Sequence, residues 1–187
     1  MPTNRKTTKV LGSSRVVFLN GAIDTASVGT AVERLLQLDK SSKKDILLVL
    51  NTDGGTVNDG LYIINIFKLL RSPVAILVPS AAMSIGAIIF AAGTKGKRIV
   101  MPGSVIMMHG SSYELTESPH RIHKSEIEFQ EKQEQYFANL IKDRGFKYPE
   151  TSLASECTYY TGQEIVDAGI ADIMIDSLDE LHKVVKI

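Results

Sequence analysis

A single cysteine, Cys157, stands in a chain of 187 residues. One thiol excludes an intramolecular disulfide framework and any multi-cysteine zinc site, and it fits a reducing compartment such as the cytoplasm. Charge of one sign is missing too, since 21 Lys and Arg balance 21 Asp and Glu. A net charge of zero gives no global attraction to nucleic acid or anionic lipid, and neither is expected as a partner. The basic N-terminus (Arg5, Lys6, Lys9, Arg15) has no apolar run behind its charges, so it does not read as a secretory signal. No internal repeat stands out. What is present, 44% apolar and 22% charged residues, is the composition of one globular domain with room for a sizeable core.

One uncharged run tests that reading. Ser72 to Thr94 is 23 residues without a charge, long enough for a membrane span. Pro73, Pro79, Ser80, Ser84 and Gly86 interrupt it. The expectation is a buried strand at Val74–Val78 and a separate small-residue helix from Ser84 to Ala92, with no span.

Elsewhere strands and helices alternate. Residues 1–14 read as a flexible polar arm, and 15–187 as a single domain. Val16–Leu19 predicts a strand, and Asp24 or Thr25 a cap for a helix carrying Val28, Ala31, Val32, Leu35 and Leu36. A loop over Asp39–Asp45 leads to Ile46–Leu50, an apolar run of the kind buried on both faces in a parallel sheet. A turn at Asn51–Gly55 and a helix over Val57–Leu70 follow. Two short strands are expected around Met101–Ser104, and another at Ala171–Ile175. Thr161-Gly-Gln-Glu164 and Ser177-Leu-Asp-Glu180 read as capping boxes. The class is α/β with a largely parallel sheet.

From about residue 116 to 144 runs one long helical pattern, on the order of 40 Å. Ile122, Phe129, Tyr136, Phe137 and Leu140 make a narrow apolar stripe among charges. Such a stripe is too narrow for a helix packed wholly within its own domain, so a subunit contact is expected.

Three places can carry chemistry. Gly54-Gly55 lets backbone N–H groups face a ligand without a Cβ in the way, though a plain turn explains the pair equally well. Ser84, where the small-residue helix starts, is a helix cap or a nucleophile. His109, after Val105-Ile-Met-Met, is structural unless Ser84 lies beside it, because serine needs a positioned base at neutral pH. His120 and His123, near Glu117 and Glu126, read as a solvated face rather than a metal site. His182 has no evident partner.

Together Asn51-Thr-Asp-Gly-Gly55-Thr-Val, Ser80-Ala-Ala-Met-Ser84-Ile-Gly-Ala, Ala91-Ala-Gly-Thr-Lys-Gly-Lys-Arg98, Met107-Met-His109 and Thr161-Gly-Gln-Glu…Gly169-Ile-Ala-Asp172 resemble the Clp protease proteolytic subunit (ClpP) family. The resemblance covers Arg15 to Ile175. It implies a crotonase-like α/β core of ββα units with a largely parallel sheet and a long protruding handle helix. It implies a serine endopeptidase that cleaves unfolded polypeptides or peptides through an acyl-enzyme. Its homo-oligomeric rings would stack through the handles around a chamber, with no metal and no cofactor. On that matching Ser84 is the nucleophile, His109 the general base, and the N–H groups of Gly55 and Ile85 the oxyanion donors.

Three departures stand out. Where the family has a third catalytic Asp, counting back from Thr161 lands on Cys157, with Glu156 beside it. Gly110-Ser-Ser-Tyr replaces the family's Gln-Pro and glycine-rich strand. The family also implies a Clp-type ATPase partner, and the short N-terminal region, without its tyrosine-containing helix, counts against one. The competing expectations are a weakly active or non-catalytic ring subunit and a crotonase-like acyl-CoA enzyme. The pairing of Ser84 with His109 argues against the latter.

Overall fold

A computed structural model describes residues 15–109, 124–145 and 157–187. Strand β1 (Val16–Asn20) leads to helix α1 (Thr25–Ser41), strand β2 (Ile46–Asn51) and helix α2 (Val57–Leu69). Then come β3 (Val74–Val78), β4 (Ala81–Met83), α3 (Ile85–Ala91), β5 (Arg98–Val100) and β6 (Val105–Met108). The remainder holds α4 (Lys124–Asp143), β7 (Thr158–Thr161), α5 (Gln163–Asp167), β8 (Ile173–Met174) and α6 (Leu178–Val184).

Two sheets result. The larger has the order β1-β2-β3-β5-β8, and all its pairs are parallel. The smaller has the order β4-β6-β7, with β4 and β6 parallel and β7 antiparallel to β6. Alternation along the larger sheet's strands divides the core. Leu19, Leu48, Leu50, Ile76 and Val78 pack with the helical side, which includes Val28 and Leu35 of α1 and Ile63 and Ile64 of α2. Leu47, Ala75 and Ile99 face the other way and are covered by Leu181 and Val185 of the C-terminal segment. Each fully buried aliphatic side chain here contributes about 1.5–3 kcal/mol.

The uncharged run resolves as β3, β4 and α3, and no helix among the described residues is long and apolar enough to cross a membrane. Helix α1 is capped by Asp24, whose side chain accepts from the Ser27 N–H, while Ser27 answers to the Asp24 N–H. It continues through Ser41, so the loop expected at Asp39 begins later. Buried Arg15 explains the extension: it donates to the carbonyls of Leu38 at 2.9 Å, Ser42 at 3.3 Å and Lys44 at 2.7 Å. One guanidinium thus satisfies carbonyls that a helix end leaves open.

Other boundaries also shift. The strand expected over Ala171–Ile175 is only Ile173–Met174. Ala171 N–H turns back to Ile165 O, and the Asp172 carboxylate is taken up by Arg98. The Ser177 box holds in half: Ser177 accepts from the Glu180 N–H, but the Glu180 side chain reaches Asp176. At Thr161 the N-cap is Gly162, one residue later, and Glu164 accepts from both the Thr161 N–H and hydroxyl.

The long helix needs the largest correction. Phe137, Leu140 and Ile141 are buried in this chain's own core, and Tyr136 packs against it. The stripe is therefore partly intramolecular: the C-terminal half of α4 lies on its own subunit, while Phe129 is 59% exposed. The expected start near residue 116, together with Ile122, His120 and His123, lies outside the described residues, as does the arm at 1–14.

Candidate active site

The site is built where β2, β4 and β6 end. Thr52, buried just past β2, stitches the two sheets together. Its N–H donates to Ala81 O at 2.9 Å, its carbonyl accepts from Met83 N–H at 3.0 Å, and its hydroxyl accepts from Gly54 N–H at 2.9 Å. The chain then turns through Gly54 and Gly55 at φ of 110° and 150°, a region that favours glycine. Space demands glycine as well. A Cβ on Gly54 would stand 2.8 Å from the Ser84 Cβ, and one on Gly55 would run into the Ile23 backbone.

Ser84 links β4 to α3. Its N–H extends the small sheet by donating to Met107 O at 2.9 Å, and its carbonyl accepts the first α3 bond, from Ala87 N–H, at 3.0 Å. Serving strand and helix at once forces φ to 55° and ψ to −126°, and Ser84 is the one non-glycine residue at positive φ among the described residues. Strain of this kind amounts to about 1–3 kcal/mol and persists only where surroundings impose it. Although it occupies the N-cap position, its side chain makes no capping bond. The hydroxyl instead lies 2.9 Å from His109 Nε2.

His109 follows β6, so the parallel β4–β6 pairing is what delivers the imidazole to the serine. Both side chains are half-buried. Ile85, the next residue, has its side chain packed inside, over Gly60, where any Cβ would collide with it. Gly86 is held equally close to the Thr52 side chain. As first residue of α3, Ile85 has an N–H with no intrahelical acceptor.

The structure thus brings together Ser84, His109 and the Gly54–Gly55 turn, all singled out in the sequence. His182 lies on α6, whose Leu181 packs against Leu47, Ala75 and Ile99 of the larger sheet. Cys157 is exposed and sits one residue before β7. The last β6–β7 pair is Met108 with Thr158, and His109 and Cys157 are the residues that respectively follow and precede it in the chain. Glu156 lies outside the described residues. The site residue that sequence reasoning missed is Thr52. Its only signal was its place directly after the apolar strand and two residues before the glycine pair.

Comparison with known proteins gives the same direction. The sequence pattern of the Clp protease family matches residues 3–177. An ATP-dependent Clp protease proteolytic subunit of Carsonella ruddii (strain PV) is 42% identical over 95 residues, 51% of this chain and 49% of that protein. Subunit 3 of Synechococcus sp. (strain CC9605) is 39% identical over 100 residues, 53% of this chain and 50% of that protein. A chloroplastic subunit 3 of Arabidopsis thaliana is 36% identical over 104 residues, 55% of this chain and 34% of that protein. The chain spans about half the length of most of these relatives. With the family pattern running through nearly the whole sequence, the chain belongs to the Clp protease family.

Proposed function

We propose that this chain is a serine endopeptidase acting on unfolded polypeptides or peptides. The observation that carries the reading is the 2.9 Å contact between Ser84 Oγ and His109 Nε2, at a serine held in a strained conformation and not used as a cap. Serine attacks at neutral pH only when a base accepts its proton. In the proposed reaction His109 Nε2 takes the hydroxyl proton while Oγ bonds to the scissile carbonyl carbon. The negative charge that develops on the carbonyl oxygen is met by the N–H groups of Gly55 and Ile85. Collapse breaks the C–N bond, and the leaving amine takes the proton from His109. Water then repeats the sequence on the ester, restoring Ser84 and releasing the acid.

The relatives are named as subunits of ATP-dependent proteases. By that likeness we assign this chain to homo-oligomeric rings, stacked about a chamber, with the exposed part of α4 near Phe129 as a contact. The steps above use only this chain's residues, so short peptides are expected to be cleaved without nucleotide. The test is hydrolysis of a fluorogenic peptide by wild type and by Ser84→Ala. Loss of cleavage supports the reading, and a wild-type rate in the variant refutes it.

A further inference from the structure

A groove between the ends of α2 and α4 contains none of the residues of the Ser84 site. Its volume is about 130 Å³, and its apolar floor includes Ile64, Val74 and Leu140, all buried. Two cations line it: Lys68, in the last turn of α2, and Arg144, just past α4. Lys68 Nζ donates to the Tyr136 hydroxyl at 2.6 Å and lies 5.0 Å from that ring's centre. Arg144 Nη1 donates to Gly93 O at 3.3 Å. The ion pairs among the described residues are Arg71–Asp39, Lys97–Asp45 and Arg98–Asp172, and they include neither cation.

Helix-end dipoles favour a cation at each terminus. They account for Lys68 and Arg144 singly, not for two cations lining one groove with an apolar floor. Such a pair calls for an anion, and a carboxylate matches the guanidinium fork. Size narrows the rest of the ligand. An apolar cavity of about 150 Å³ accepts a benzene-sized guest, so this groove suits one branched or aromatic side chain rather than a long acyl tail. Thr94 adds a polar wall: its hydroxyl oxygen accepts from Val74 N–H at 2.9 Å and retains a proton to donate.

One apolar side chain, one carboxylate and one neighbouring polar group describe the last residue of a peptide. We propose that this groove captures the C-terminal carboxylate of peptides ending in Leu, Ile or Phe. The source of such ends rests on the peptidase reading, since each turnover leaves a new C-terminal carboxylate on one fragment.

Binding is tested on the full chain carrying Ser84→Ala, so that nothing is cleaved. N-acetyl-leucine is titrated against the methyl resonances of Ile64 and Leu140, with N-acetyl-leucinamide and hexanoate as comparisons. The expected result is saturable shifts with N-acetyl-leucine and affinity about tenfold weaker or worse for the amide. Lys68→Glu, at an exposed position, should weaken N-acetyl-leucine by at least about tenfold, with the fold retained and the melting temperature only slightly lowered by loss of the Tyr136 contact. Arg144→Gln should act in the same direction. Equal binding of acid and amide, or undiminished binding in both variants, overturns the proposal. Hexanoate binding without N-acetyl-leucine binding overturns the assignment to a peptide end. Labelling of Ser84 in wild type is a separate readout, so failure of the groove and failure of the peptidase reading are told apart.

Discussion

In the larger sheet only β2 ends in a turn of the candidate site, whereas two of the three strands of the smaller sheet run directly into its residues. Ser84 follows β4, His109 follows β6, and Cys157 precedes β7. The larger sheet is buried on both faces, by α1 and α2 on one side and the α6 segment on the other. The smaller sheet is short, with Met83 and Met107 only half-buried. The contrast teaches a division of labour. Stability comes from the broad parallel sheet, and geometry from three short strands tied to it through Thr52.

That division can be broken at several depths. The deepest break is in the smaller sheet: Ser84→Ala or His109→Ala should lower peptide hydrolysis by roughly 10⁴-fold or more. Residues of one catalytic unit are not additive, so the double variant should be hardly worse than either single one. A double variant far below both would mean that the two side chains act separately.

Next comes the tie between the sheets. Gly54→Ala puts a Cβ 2.8 Å from the Ser84 Cβ at a φ of +110°. Turnover should fall by about 10²-fold and stability by about 1–3 kcal/mol. Gly29→Ala is the control: it lies inside α1 with open space around it, and should stabilise by about 0.5–1 kcal/mol. Thermal melts of the two variants against wild type decide this.

The larger sheet should respond in stability alone. Arg98, buried on β5, makes a two-pronged pair with Asp172 at 2.9 and 2.7 Å. Arg98→Ala should destabilise by about 2–3 kcal/mol, because the partly buried Asp172 carboxylate keeps only backbone N–H partners such as that of residue 98. Burial pushes the Asp172 carboxyl up, but the hydrogen bonds and charge of Arg98 outweigh it and hold the group below its usual value. The sign follows from linkage. Stability from this carboxylate is present above its unfolded value of about 3.9 and fades as pH falls through the lower folded value. Denaturant unfolding of Asp172→Asn should therefore show a shallower loss below about pH 4 than wild type.

Much of this division is legible in the chain. Continuous apolar runs at Ile46–Leu50 and Val74–Val78 mark strands buried on both faces, and Asp24 marks the start of α1. Ser84 and His109 stand out by position, although the distance between them is a property of β4–β6 pairing. Strand β4 escapes the reading because Ala-Ala-Met has no alternation to detect. Strand β7 escapes it because its four residues carry no apolar run. The docking of α4 is hidden from the sequence for a different reason. An apolar stripe reports a face, not what covers it, and here the core of the same subunit covers Phe137 and Leu140. The extension of α1 depends on Arg15, a residue far from that helix end in sequence.

A smaller effect concerns Cys157, which precedes Thr158, the partner of Met108 in the last β6–β7 pair. Cys157→Asp should raise peptide cleavage several-fold, because a carboxylate within reach of the imidazole orients it and stabilises the imidazolium that forms. If Glu156 fills the orienting role, Glu156→Gln should abolish most activity while Cys157→Ala is tolerated. An unchanged rate in all three variants would locate the orienting group elsewhere. The smallest effect on the subunit itself is expected from Phe129→Asp, at an exposed site on α4. Its melting temperature should barely move, while native mass should fall to smaller particles. Leu140→Asp would instead unfold the subunit, since Leu140 is core.

The central claim, that the smaller sheet arms Ser84 as a nucleophile, is tested most directly by a fluorophosphonate probe followed by peptide mapping. One adduct is expected, on Ser84, lost in Ser84→Ala and strongly slowed in His109→Ala. An adduct on Cys157 or another serine, with Ser84 unmodified, would contradict it.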